Sequence, residues 1–585
     1  MGRVDPITLA VVRSNLISIA NGMQETAFRC GVTPYVYEIM DCCFSILDEE
    51  MGVIAQSHGM LLFLGSLGPA VKNCVAAIGK ENLEPGDIVL SAHPNVTGAH
   101  TNDALVFSPF FYRGKLFGYA ATKSHWLDLG AKSPFPTDST SIFEEGLRIP
   151  PLKLYRKGVL QQDIWEIVKS NSRAPDMVWG DLQAQIAGCR SAEKGLTELL
   201  DKYGEASVRP CIQEIYNYSE RMIRSEIEKI PDGVYCAEDY LDDNGIDLKQ
   251  LLPVRLAIQV RGSDLTMDFT GSAPEQKSPM NGLLITTLSA CRVAVKALLA
   301  PDLPGNEGFN RPIQVIAPEG SIVNSSPGAP SFLYAWVAQL ILGLVNHALH
   351  RVLPQQVPAL SGADVVCEGF EGRDPQTGKY WGAITPCVIG QGGDALSDGE
   401  SYLNPLSAGA CRNTPAEVLE SAYPIRVERV ELVEDSGGPG RHRGGVASRT
   451  AFRLVAPASF FCIIEKGKTP HWGLFGGKKG LRNYALVQSQ RKGTFEVLKH
   501  PGIALDEGDR VVVAAGGGGG YGDPLDRDPE AVRTDVLERY VSPEGARRDY
   551  GVVLFRDAGT LHIDADATAQ LRSDLRAKTA GGNQA

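Results

Sequence analysis

Residues 98–128 of the 585-residue chain read GAHTNDALVFSPFFYRGKLFGYAATKSHWLD. Two apolar, strand-prone runs, 106–111 and 116–121, flank Arg113-Gly114, and such a pair across a glycine turn predicts a β-hairpin. His100 and Asp103 precede the first run, while His125 and Asp128 follow the second. Both H-x-x-D pairs therefore fall at strand ends or in loops, where functional side chains collect.

Neutral imidazole and ionised carboxylate are lone-pair donors at neutral pH, and together they bind divalent cations. A cation so held activates water or polarises a carbonyl. His100, Asp103 and His125 are accordingly candidate metal ligands. Asp41 joins them as a fourth, being an acidic residue within an otherwise apolar, strand-like stretch at 38–47. A buried carboxylate requires a compensating partner. A salt bridge or turn contact would also satisfy Asp41, and H-x-x-D spacing arises by chance in long chains.

The bulk composition narrows the class. A chain of 585 residues divides into about two to four domains. With 43% hydrophobic and 22% charged residues it is an ordinary globular polypeptide. Its net charge of −12, without any basic run, argues against nucleic acid or an anionic membrane as the main partner. Twelve cysteines without a C-x-x-C fit reduced thiols better than a disulfide framework. No signal peptide is visible at Met1, and the apolar stretch 332–345 is too short to span a bilayer. A cytoplasmic protein is expected.

Residue patterns predict a mixed α/β (α+β), multidomain fold with a glycine-rich, β-rich C-terminal region. Asp5-Pro6 starts a helix whose apolar positions Ile7, Val11, Leu16, Ile19 and Met23 run to about Arg29. Asp48-Glu49-Glu50 closes the 38–47 strand as a turn. Helical patterns cover 161–229, strands cover 233–270, and further helices are expected at 284–299 and 332–353. Strands between glycine turns fill 423–513, a last helix runs over 529–540, and the final dozen residues read as disordered. The expected division is 1–230, an α/β region carrying the candidate ligands; 231–422, a central α/β region; 423–545, β-rich; and 546–585, a tail.

Other motifs carry less. His347 and His350 lie three apart on a helix, a spacing able to share a metal, but at a helix C-terminus they more simply favour the dipole. His58, His442 and His471 have no partner pattern and read as structural. The run Gly516 to Gly520 follows a strand but meets Asp523-Pro524 instead of opening a helix, so a tight turn or a chain crossing accounts for it better than a phosphate loop. Gly476-Gly477-Lys478-Lys479-Gly480 lacks the Ser or Thr of a P-loop. There is no G-x-S-x-G, and Cys42 and Cys43 beside Asp41 read as core, since a neighbouring carboxylate raises a thiol pKa.

Ordered segments along nearly the whole chain resemble the hydantoinase B/oxoprolinase family. They include Asp5-Pro6-Ile7-Thr8-Leu9, Asp41 with Asp48, Ala55-Gln56, Leu64-Gly65-Ser66, residues 98–103 and 125–130, and Glu145-Gly146-Leu147-Arg148-Ile149-Pro150-Pro151. Downstream come Gly180-Asp181-Leu182-Gln183-Ala184-Gln185, Asn306-Glu307-Gly308, residues 316–321, Gly437-Gly438-Pro439-Gly440 and residues 518–524. The resemblance implies a metal-binding subunit of ATP-dependent hydantoinases, 5-oxoprolinase or caprolactamase, related to acetone and acetophenone carboxylase subunits. It implies a divalent metal, zinc or manganese, at Asp41, His100, Asp103 and His125. It also implies a hydantoinase A-like partner of actin/sugar-kinase-like fold, which uses ATP and Mg to phosphorylate the carbonyl oxygen of a small cyclic amide or ketone. Asp128 is the catalytic candidate, orienting a ligand or relaying a proton; a surface carboxylate is the alternative. Two departures stand out: Phe63 occupies a position where many members have His, and Gly130-Ala131 one where they have Gly-Gly.

Overall fold

A computed structural model describes residues 4–362, 364–385, 388–469 and 471–582. The Asp5 carboxylate accepts from the Thr8 N–H at 2.8 Å and so caps the helix Pro6–Cys30, with proline in its first turn where no N–H is needed. The buried stripe of this helix runs through Val12, Leu16, Ala20, Met23 and Ala27, a stricter 3.6-residue repeat than the one expected, and Ile7 in the first turn stays exposed. That stripe packs against the helix Pro175–Tyr203, and the two cover one face of the first sheet.

This sheet has seven antiparallel strands: β1 Cys42–Asp48, β2 Val53–Gln56, β3 Ile88–Ala92, β4 Asp103–Tyr112, β5 Lys115–His125, β6 Ile149–Arg156 and β7 Val159–Leu160. Their order is β2-β1-β5-β4-β3-β6-β7. β4 and β5 are the expected hairpin, longer than the two apolar runs, with Arg113 (φ 49°) and Gly114 (φ 77°) both left-handed in the turn. A bulge between Phe110 and Phe111 shifts the pairing by one residue. Tyr112 faces Lys115 at the turn, yet Asp103 faces His125 at the far end. Without that shift Asp103 would face Ser124, and His125 would turn to the other side of the sheet.

Three apolar helices fill the space between this sheet and a second one. Leu61–Ile78 packs on β1 and β5, Leu284–Leu299 lies beside it, and Tyr334–Leu349 follows. The second sheet comprises β8 Gly233–Leu241, β9 Leu252–Arg261, β10 Asp264–Asp268 and β11 Ile313–Ile316, in the order β11-β10-β9-β8, with β10 and β11 parallel. Among the described residues Leu61–Ile78, and not the 332–345 stretch, is the helix long and apolar enough to cross a membrane by length and composition. Here it serves as a core helix between sheet and helix.

Further strands are β12 Cys367–Arg373, β13 Tyr380–Ile384, β14 Ile425–Leu432, β15 Ser448–Leu454, β16 Ala458–Ile463, β17 Tyr484–Ser489, β18 Gly493–Val497, β19 Lys499–Leu505 and β20 Arg510–Ala515. They form two antiparallel sheets, β13-β12-β16-β19 and β14-β15-β20-β17-β18. The glycine run after β20 threads among three other glycine-rich passages. Gly518 donates to the Gly445 carbonyl and accepts from Gly438, Gly519 accepts from Gly393, and Gly520 donates to Lys478. A methyl group on Gly518 would collide with the Gln391 carbonyl, and one on Gly517 with that of Ser436. The run is thus a chain crossing.

The C-terminal expectations need correction. The helix expected over 529–540 ends at Leu537 and is not the last: Pro543–Tyr550, a hairpin of β21 Leu554–Asp557 and β22 Thr560–Ile563, and the helix Ala565–Gly582 follow. Of the dozen residues read as disordered, 574–582 are helical and 583–585 lie outside the described residues. An 18-residue segment rich in Ala and alternating charge supports a helix by intrinsic propensity despite its weak apolar pattern. The eleven described cysteines form no disulfide. The whole is a multidomain α+β fold.

Candidate metal centre

The strand register builds the centre. Asp103 begins β4 opposite His125, the last residue of β5. β1 lies on the other side of β5, and the His125 N–H donates to the Asp41 carbonyl at 3.0 Å. Asp41 therefore reaches the same strand ends, although it precedes β1 instead of lying within a strand, because Met40 takes a left-handed φ of 60° and breaks the extended run. His100 arrives from the turn after the short helix Pro94–Thr97. There Gly98, at φ 71°, caps the helix in the left-handed region, and any side chain on it would run into Ile285.

His100 Nε2 and His125 Nδ1 each lie 3.0 Å from Asp103 Oδ1 and 3.1 Å from each other, all three residues buried. His100 Nδ1 is 3.1 Å from the Phe332 carbonyl oxygen. A carbonyl can only accept, so Nδ1 carries the proton and Nε2 presents its lone pair. A bare lone pair facing a carboxylate oxygen in a buried site is repulsive unless a cation lies between them. Two imidazoles and a carboxylate converging in this way fit a divalent metal, and they are the cluster of three ligand atoms found among the described residues.

The surroundings hold this arrangement. The Tyr334 hydroxyl donates to Asp103 Oδ2 at 2.6 Å, leaving Oδ1 to the imidazoles. Burial alone would raise the Asp103 carboxyl, but positive charge on the adjacent imidazoles, His100 foremost, holds it well below the usual carboxylate range when no metal is bound. Glu145 accepts from the Ser331 N–H at 2.9 Å and from the Ser139 hydroxyl at 2.8 Å, which pins the turn before the Tyr334–Leu349 helix, whose Phe332 carbonyl orients His100. Asp41 lines the same 80 Å³ cavity, with an Oδ1 that has no hydrogen-bond partner. Burial pushes its carboxyl up to about 7 against the pull of His125, with Asp103 adding to the rise. The Phe135 ring stacks on His125 at 6.0 Å and on Phe461 at 5.4 Å, so the wall is aromatic.

Asp128 is not part of this cavity. It is buried, accepts from Arg173 Nε and the Gly130 N–H at 3.1 Å each, and ties the loop after β5 to the start of the Pro175–Tyr203 helix. The Arg173 guanidinium claims the carboxylate, so Asp128 is neither a surface residue nor a partner of His125. Phe63 lines the cavity, and the Lys123 ammonium lies 5.3 Å from its ring centroid. Lys123 is wholly buried, donates to Ser66 Oγ at 2.7 Å and the Thr97 carbonyl at 2.8 Å, and burial pulls its pKa down to about 8. Sequence reasoning passed over it, although a lysine at an inward strand position two residues before His125 was a visible signal. Tyr334 and Phe135 gave none.

None of His347, His350, His58 and His471 joins the cluster. His347 stacks on Trp472 at 4.6 Å, His350 Nδ1 meets the His347 carbonyl at 2.6 Å, and His58 is exposed. His471 Nδ1 sits 3.0 Å from the Leu481 carbonyl, and burial drives its pKa down to about 4. Cys42 and Cys43 are buried, and burial raises Cys43 to about 12, which leaves it protonated.

Fold and cluster together define a multidomain α+β protein organised around a buried His–Asp–His centre. A family model described as hydantoinase B/oxoprolinase matches residues 5–524, and the chain belongs to that family. The caprolactamase subunit beta of Pseudomonas jessenii is 32% identical over 588 residues, spanning 97% of this chain and 99% of that protein. The crystal structure of ATP-dependent caprolactamase from Pseudomonas jessenii matches with a TM-score of 0.91 at 30% identity, over 98% of this chain and 100% of that one. A nucleotide-free acetone carboxylase structure matches with a TM-score of 0.90 at 20% identity, over 99% of this chain and 84% of that one, a likeness of fold alone.

Proposed function

We propose that this chain is the metal-binding subunit of a heteromeric, ATP-dependent hydrolase that opens cyclic amides such as a hydantoin, 5-oxoproline or another lactam. The observation that carries the reading is the buried triad of His100, Asp103 and His125, whose lone pairs face one another at 3.0–3.1 Å. Membership of the hydantoinase B/oxoprolinase family and the identity to a caprolactamase subunit support it. The reaction takes place in the cytoplasm, in keeping with the unpaired thiols.

An unstrained amide resists hydrolysis because its nitrogen donates into the carbonyl. A hydantoinase A-like subunit with an actin/sugar-kinase-like fold, using ATP and Mg, removes that donation by phosphorylating the carbonyl oxygen. His100, Asp103 and His125, with Asp41 as the further ligand, would hold a zinc or manganese ion, which when bound would supply a Lewis acid able to acidify water at neutral pH. This chain's own residues set the stage. Tyr334 fixes Asp103, the Phe332 carbonyl fixes the His100 tautomer, Asp41 offers a free oxygen on the cavity wall, and Phe135 and Trp336 keep bulk water from the activated carbonyl.

Phosphate release by the reconstituted pair, measured over a panel of hydantoins and lactams, tests the reading. Turnover that needs ATP, both subunits and a cyclic amide is expected. The second reading, an ATP-dependent ketone carboxylase of the acetone or acetophenone type, shares the fold, but 20% identity against 30–32% for caprolactamase favours ring opening. Phosphate release that depends on bicarbonate and a ketone, and ignores every lactam, would overturn the preference.

A further inference from the structure

Three of the segments that carry the family resemblance lie away from the histidine cluster: Ala55-Gln56, Leu64-Gly65-Ser66 and Asn306-Glu307-Gly308. Residues from all three line a second cavity of 280 Å³. It lies on the other side of the Leu61–Ile78 helix: Met60 and Phe63 border the metal centre, while Leu61, Leu64 and Pro69 border this space. Its walls are largely apolar, yet Arg292 and Lys296, one turn apart on the Leu284–Leu299 helix, both line it.

The two cations differ in what holds them. Lys296 Nζ donates to the Pro301 carbonyl at 2.7 Å and the Ala300 carbonyl at 3.3 Å. The guanidinium of half-buried Arg292 makes no hydrogen bond and no ion pair within 4.0 Å among the described residues. Glu307 acts on it only from a distance, and Glu307 Oε2 is engaged by the Asn310 amide at 3.2 Å. A guanidinium with five donors that faces the cavity and meets no protein acceptor is free to take a ligand that brings one.

We infer that this cavity binds a small organic carboxylate, with its charge on Arg292 beside Lys296 and a short aliphatic body against Val53, Leu61, Leu64 and Phe309. The planar guanidinium matches a carboxylate in two-point contact. Apolar walls suit the body of such a ligand and leave a free phosphate dianion short of donors. The site stands apart from ring opening, so its test reads binding and not turnover.

Hexanoate is the probe, titrated calorimetrically into the full chain, with hexylamine, 1-hexanol and inorganic phosphate as comparators. Hexanoate is expected to bind a single site, with the comparators about ten-fold weaker or more. Arg292→Gln is expected to weaken hexanoate by about ten-fold or more, Arg292→Lys by less, and neither to change metal content. If Arg292→Gln does not fold, a crystal structure of the wild-type chain soaked in hexanoate decides. Its carboxylate within hydrogen-bond distance of Arg292 supports the site, and hexanoate elsewhere or absent overturns it. The inference also fails if 1-hexanol or phosphate binds as tightly as hexanoate, or if Arg292→Gln leaves the affinity unchanged.

Discussion

Asp103 joins the centre together, because one oxygen faces both imidazoles and the other takes the Tyr334 hydroxyl. Asp103→Asn keeps the shape and removes the charge. Its turnover is expected to fall by more than about 100-fold with loss of bound metal, beyond the roughly 10–100-fold expected for Tyr334→Phe, which touches only the outer oxygen. Metal analysis of each purified variant alongside its rate checks both. Asp41 gives a pH signature. In the metal-free chain its carboxyl lies at about 7, above its ordinary value of about 4, so folding favours the protonated form. The resulting stability is fully present below about pH 4 and is lost as pH rises through about 7. Metal binding has the opposite sign: a cation needs the carboxylate, so affinity falls as pH drops below about 7, and loading at about pH 6 expels a proton that loading at about pH 8 does not. Calorimetric metal titrations in buffers of different ionisation enthalpy read that proton. Equal release by wild type and Asp41→Asn at about pH 6 would show that Asp41 does not bind the ion.

At the scale of elements, the hairpin was legible in the sequence because its signals are local: a glycine turn and two apolar runs of the right length. The bulge at Phe110–Phe111 was not, and it decides whether His125 and Asp103 share a face. Nor was the pairing of β1 with β5, which brings Asp41 from about 80 residues upstream to the backbone of His125. The resemblance to a family named the four positions, whereas residue patterns alone left Asp41 open to a salt bridge and gave no sign that Asp128 meets Arg173. The β1–β5 contact is itself testable. Gly118 sits where the two strands come closest, and a methyl there would strike the Leu47 carbonyl. Gly118→Ala is expected to cost roughly 1–3 kcal/mol, as overpacking does, and to leave metal content unchanged, since Gly118 faces Asp48 at the end of the ladder away from His125. Denaturant unfolding with metal analysis reads both, and a variant as stable as wild type contradicts the close pairing of β1 with β5.

Across the whole molecule, glycine composition announced a β-rich C-terminal half, but not which chains cross. Gly438 and Gly445 hydrogen-bond to the backbone of Gly518, and Gly393 to that of Gly519, because no side chain stands between them. Gly518→Ala is therefore expected to destabilise far more than Gly559→Ala, where nothing lies within 4 Å and only the turn φ is strained, at about 1 kcal/mol. Soluble yield and urea midpoints compare the two, and equal values would mean that the crossing is loosely packed. Around that scaffold the account rests on one cation at the ends of β1, β4 and β5. Anomalous X-ray diffraction at the zinc and manganese edges, on crystals of the purified chain, tests it most directly. A single peak in contact with His100 Nε2, His125 Nδ1 and Asp103 Oδ1, absent from His125→Ala, is the predicted result; metal-replete crystals with no peak there, or with the peak at another site, would contradict it.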